Sequence, residues 1–107
     1  MQHPELKTIL QKVKQFLASQ YQERLQGIVL YGSQARQDAQ AHSDIDLLVI
    51  LDTLTNPYQE IDKTSSFIAD LCLEFDVAIS RHFISAERYK TVRTSFLANV
   101  KREGISL

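Results

Sequence analysis

Two aspartates one residue apart, in Ser43-Asp44-Ile45-Asp46, open an apolar run over residues 44–51. Side chains on a strand alternate between faces, so Asp44 and Asp46 point one way and Ile45 the other. Like charges side by side are unfavourable until a cation neutralises them, and a hard divalent ion such as Mg²⁺ takes carboxylate oxygen. An Asp-x-Asp alone also fits the solvated end of a buried strand. A second piece of chemistry is Gly32-Ser33, which ends the apolar run Ile28-Val29-Leu30-Tyr31. A tight glycine turn after a strand exposes backbone N–H groups to phosphate oxygens, and the Ser33 hydroxyl adds a donor. The same residues also make an ordinary turn. If the two runs are neighbouring strands, the phosphate turn and the carboxylate pair lie at the same end of the sheet. Residues 74–80 are strand-like around Phe75, Val77 and Ile79, with Glu74 and Asp76 on the opposite face. Of these two, Asp76 is the preferred third acid, because a carboxylate between apolar residues must find a partner. A cap or a salt bridge is the structural alternative for it.

The elements that position these residues follow from hydrophobic spacing. His3-Pro4-Glu5 reads as a helix start with Pro4 at the first helical position, followed by Leu6, Ile9, Leu10, Val13, Phe16 and Leu17 on one face. Lys7, Lys12 and Lys14 form its solvated outer face. Strand one opens at Gly27 and ends at Gly32-Ser33; strand two covers residues 44–51 and stops at Asp52-Thr53 and Asn56-Pro57. Helical spacing returns over residues 58–73 through Ile61, Thr64, Phe67, Ile68 and Leu71, and strand three follows at 74–80. Ser85 reads as the N-cap of one last long helix ending at Gly104. The order predicts an α+β fold, a small mixed sheet of three to four strands flanked by helices.

Composition bounds the rest. At 107 residues, 44% hydrophobic and 23% charged, the chain reads as one folded domain over residues 1–107. A net charge of −1 offers no basic field for a nucleic-acid backbone, so no direct nucleic-acid binding is expected. Cys72, the single cysteine, lies in an apolar run and reads as a buried structural thiol. Neither a signal peptide nor a run of ~20 apolar residues is present, which predicts a cytoplasmic protein without a membrane span. His42 reads as an exposed loop histidine, with a phosphate or partner contact as the alternative; His3 and His82 share no metal-ligand spacing and suggest no site.

The run Gly32-Ser33-Gln34-Ala35-Arg36-Gln37-Asp38-Ala39, followed by Ser43-Asp44-Ile45-Asp46-Leu47-Leu48-Val49, resembles the Gly-Ser-x-Ala-Arg-Gly-x-Ala…Ser-Asp-Ile-Asp-Leu signature of MNT-type minimal nucleotidyltransferases. These are polymerase-β-like domains, the MntA antitoxins of HEPN/MNT (HepT/MntA) toxin–antitoxin systems. Gln37 stands where that signature has glycine. The resemblance implies a polymerase-β-like nucleotidyltransferase fold and ATP as substrate. It implies that Gly32, Ser33 and Arg36 bind the nucleotide, and that Asp44, Asp46 and Asp76 are the catalytic acids holding one or two Mg²⁺ ions. With room after strand three for only one long helix, the acceptor is expected on a partner. By resemblance that partner is a HEPN toxin, whose RNase activity is neutralised when AMP passes from ATP to a tyrosine hydroxyl. Two rival expectations are a non-catalytic antitoxin that masks the toxin by binding, and an aminoglycoside-type adenylyltransferase of small molecules.

Overall fold

The computed structural model describes residues 3–36 and 44–107. Gln37, His42 and Ser43 lie outside the described residues, as does the rest of the segment between Arg36 and Asp44. Helix α1 (Leu6–Tyr21) leads through a short 3-10 turn into strand β1 (Leu25–Tyr31), the one-turn helix α2 (Ser33–Arg36) and β2 (Ile45–Leu51). Then come α3 (Pro57–Phe75), β3 (Ile79–Ser85), α4 (Ala86–Thr91), α5 (Ser95–Glu103) and the two-residue strand β4 (Ile105–Ser106). The sheet order is β3-β2-β1-β4. β1 is antiparallel to both its neighbours, whereas β2 and β3 are parallel. A parallel pair needs a crossover between its strands, and α3 supplies it. The expected mixed α+β sheet is therefore present, with four strands among the described residues.

Central β2 is apolar almost throughout because both its faces are covered. Ile45, Leu47, Val49 and Leu51 pack with Ile9, Val13 and Leu17 of α1 and Ile68 and Leu71 of α3. On the other face Leu48 and Ile50 meet Leu97 and Val100 of α5, together with Val29 of β1. By alternation Asp46 belongs to this second row, as its half-buried first member. Among the described residues no helix is long and apolar enough to cross a membrane.

Three boundaries differ from expectation. α1 begins at Leu6 rather than Pro4, with the His3 carbonyl accepting from the Leu6 N–H and its imidazole from the Glu5 N–H. Strand three lies at Ile79–Ser85 rather than 74–80, because α3 continues through Phe75. Phe75 extends the helical row Ile68 and Leu71 as well as it fits a strand, and Asp76 ends the helix in the left-handed conformation (φ 51°, ψ 56°). Short polar residues reach that region more readily than most. The last segment is two helices, each with its own cap: Ser85 Oγ accepts from Arg88 N–H, and Thr94 Oγ1 from Leu97 N–H. Extended Val92 separates them. Gly104 then lets the chain fold back beside β1, since a side chain there would strike the Val100 carbonyl and the Val29 side chain.

Candidate active site

Three strands meet at one end of the sheet, and their register brings the site together. Asp46 is opposite Tyr31 of β1 on one side and Ser80 of β3 on the other. One step further along, Leu48 stands between Val29 and His82. Paired residues share a face, so Tyr31, Asp46, Ser80 and His82 all lie on the α5 side of the sheet.

Gly32 leaves β1 with φ +78°, a conformation costly for any other residue. It is also required sterically, because a Cβ at Gly32 would run into the Asp46 carboxylate. The Gly32 carbonyl accepts from the N–H groups of Ala35 and Arg36, which closes the single turn of α2. Gln34 is fully buried, and its Oε1 accepts from the His3 backbone N–H at 3.2 Å, tying the turn to the start of the chain. The glycine turn and the carboxylate thus touch, as the spacing predicts for neighbouring strands. Ser33 opens α2 half-buried, immediately after Gly32.

Asp44 is exposed just ahead of β2, while Asp46 is half-buried. Burial holds the Asp46 carboxyl above its ordinary value, and the Asp44 charge pushes it further; His82 and Arg36 pull the other way. A half-buried carboxylate with a second carboxylate charge beside it is a donor set suited to a hard divalent cation. Asp44 and Asp46 are the residues that could hold one. Mg²⁺ is commonly bound by one or two carboxylates, with water and substrate phosphates completing the shell.

Asp76 is placed differently from the expectation. It caps α3, exposed, three residues before β3 begins, and its neighbour Glu74 is in the helix. Among the described residues no three of His, Cys, Asp and Glu stand together as a metal site. The position of Asp76 therefore lends no support to a third metal ligand from this segment.

Arg36 does face the site, but as half of an ion pair: its Nη1 donates to Glu103 Oε2 of α5 at 3.1 Å. Arg36 and Glu103 line a cleft of about 170 Å³ with Gly32, Tyr31, Phe96 and Asn99. Neither Glu103 nor the aromatic group beside it was foreseen. Tyr31 Oη lies 2.9 Å from His82 Nδ1, and the Phe96 ring meets Tyr31 edge-on at 5.3 Å and 90°. Burial, then the Asp46 charge, push the Tyr31 phenol up to about 12, so it keeps its proton. In sequence Tyr31 passes as the last apolar residue of a strand and His82 as an isolated histidine, and only the β2–β3 register joins them. Below this layer, Arg81 reaches to the opposite face and donates to Thr64 Oγ1 (2.7 Å) and the Ile61 carbonyl (2.8 Å). That contact locks β3 onto α3.

The chain is similar to known proteins in sequence and in fold. "Putative protein adenylyltransferase MJ0604" of Methanocaldococcus jannaschii is 34% identical over 96 residues, covering 86% of this chain and 90% of its own length. A second protein of that organism, "Putative protein adenylyltransferase MJ0141", is 26% identical across 96% of this chain and 99% of its own. A crystal structure of a toxin–antitoxin with AMP-PNP has a chain 25% identical, with TM-score 0.53, over 92% of this chain and 70% of that one. The structure of a tri-AMPylated Shewanella oneidensis HEPN toxin in complex with an MNT antitoxin shares the fold at TM-score 0.56 and 21% identity, over 94% of this chain and 69% of that one. The family model described as polymerase beta, nucleotidyltransferase matches residues 11–107, so this chain belongs to the polymerase-β-like nucleotidyltransferases.

Proposed function

We propose that the protein is an antitoxin that transfers AMP from ATP to a tyrosine hydroxyl of a HEPN toxin. The observation that carries the reading is the Asp46 carboxylate packed against the Gly32 turn, with Asp44 beside it. Phosphoryl-type transfer asks for a phosphate cradle and a carboxylate-bound cation at adjoining positions. Asp44 and Asp46 would hold Mg²⁺, which would supply positive charge to offset that on the α-phosphate and the leaving pyrophosphate. Gly32 and Ser33 hold the terminal phosphates. Arg36, kept in place by Glu103, borders the same space and offsets their charge. The adenylyltransferase names of two relatives support AMP as the transferred group, and the toxin–antitoxin structures support a HEPN acceptor.

The test is to incubate the protein with a HEPN-type partner protein, ATP and Mg²⁺, and weigh the partner by intact-mass spectrometry. Mass gains in whole AMP units on a tyrosine, absent with Asp46→Asn, are the expected result. A partner left unmodified but still inhibited overturns the reading in favour of masking by binding.

A further inference from the structure

β3 runs Ile79-Ser80-Arg81-His82-Phe83-Ile84-Ser85 and contains no carboxylate, so the strand beside the aspartates offers Ser80, His82 and Ile84 to the site. Adenylyl transfer needs a group to take the acceptor's proton, and the direction of attack says where it must stand. On the adenylyl-transfer reading the terminal phosphates sit at the Gly32 turn after β1, so the pyrophosphate would leave on that side and in-line displacement would bring the nucleophile in from the opposite one. The order β3-β2-β1 makes that side β3. The space there is open: a groove of about 470 Å³ runs from His82 past Leu48, Ile84 and Arg88 to Val92 and Phe96.

We propose that His82 is the general base that deprotonates the acceptor hydroxyl, held in position by Tyr31. This inference rests on the adenylyl-transfer reading. Tyr31 Oη lies 2.9 Å from His82 Nδ1, and Phe96 packs on both rings, at 5.3 Å from Tyr31 and 5.6 Å from His82. With Nδ1–H donating to the phenol oxygen, the lone pair is at Nε2. The contact is not a local accident of an exposed strand, since it spans β2 diagonally between residues 51 positions apart. In the step, the acceptor O–H proton passes to Nε2 while its oxygen bonds to the α-phosphorus. The bond from that phosphorus to the oxygen bridging to the β-phosphate breaks, and pyrophosphate leaves with the electron pair. The imidazolium then returns its proton to water in the groove.

The experiment measures AMP transfer to the HEPN partner at varied ATP for wild type, His82→Gln, His82→Ala and Tyr31→Phe. Loss of a general base lowers kcat about 10²–10⁴-fold. His82→Gln is expected to show such a fall with an unchanged KM for ATP, Tyr31→Phe a smaller one, and free imidazole to restore part of the activity of His82→Ala. An unchanged kcat overturns the role, as does a loss confined to KM with no rescue by imidazole. A wild-type protein that modifies no partner overturns adenylyl transfer itself, a result seen before any variant is compared. The side chain of His82 is exposed, and a melting temperature within a few degrees of wild type checks that each variant is folded.

Discussion

Asp46 carries opposite demands from folding and from chemistry. Its carboxyl sits above the ordinary carboxylate range, through burial first and the Asp44 charge second. The folded state therefore holds the proton more tightly than the unfolded chain does. That stabilisation is complete below the unfolded pKa and is lost as pH rises through the folded one, so at neutral pH the ligand-free fold bears a cost. Asp46→Asn removes the charge and keeps the shape. It should raise the melting temperature at pH 8, give no gain near pH ~3 where the carboxyl is already protonated, and abolish AMP transfer. MgCl₂ should raise the melting temperature of the wild type and not of the variant. A wild type indifferent to Mg²⁺, or a variant no more stable at pH 8, would remove the electrostatic basis of the metal assignment. Gly32 makes the complementary case. Left-handed backbone costs a non-glycine residue about 1–2 kcal/mol, and a methyl there also displaces the Asp46 carboxylate. Gly32→Ala should lower stability by that amount and reduce transfer far more than the stability loss explains, as seen by comparing denaturant midpoints with initial rates.

Which elements were legible depended on whether their residues answer to one demand or two. α1 serves the core alone and β2 serves it at every position but Asp46, so their spacing reads directly: Ile9, Val13 and Leu17 on the helix, and the apolar run of the strand after Asp46. The same holds for the part of the candidate site where Gly32-Ser33 and Asp44-Ile45-Asp46 are local in sequence, since β1 and β2 are neighbours and the Asp46 carboxylate lies against the Gly32 turn. β3 serves the core through Ile79 and Phe83, the α3 contact through Arg81, and the site face through Ser80 and His82. Its polar residues hide the alternation, so the more apolar stretch just before it reads as the strand and draws Asp76 into the site. In the structure Asp76 is the C-cap of α3. Asn also tolerates the left-handed region, so Asp76→Asn should keep the melting temperature and leave transfer within about twofold of wild type, an effect on the barrier of well under 1 kcal/mol. A loss of several hundredfold would restore Asp76 as a ligand. Thr94 is another element-level signal, since its hydroxyl starts α5 and thereby splits the final helix. Thr94→Ala should cost about 1 kcal/mol in denaturant unfolding.

At the scale of the molecule, the sheet separates two cores with different duties. The face toward α1 and α3 buries Leu17, Ile9 and Leu47 and carries no site residue; the face toward α5 buries Leu97 and Val100 directly behind the site. α5 also presents Phe96 to Tyr31 and Glu103 to Arg36, so one helix supports both the aromatic cluster and the cation beside the Gly32 turn. Leu17 and Leu97 are comparably buried, at 2% and 4% exposure. Truncating either to alanine should cost about 2–5 kcal/mol by the same cavity mechanism. Their effects on activity should separate. Well below the melting temperature, Leu17→Ala leaves the α5 face intact and should transfer AMP at the wild-type kcat. Leu97→Ala lets α5 settle into its own cavity, and the neighbouring Phe96 moves with it. Small misplacements of positioning groups cost up to about a hundredfold in rate, so kcat should fall in this variant alone. Equal losses in kcat for the two variants would mean that the sheet transmits strain from both faces, and that α5 has no special hold on the site.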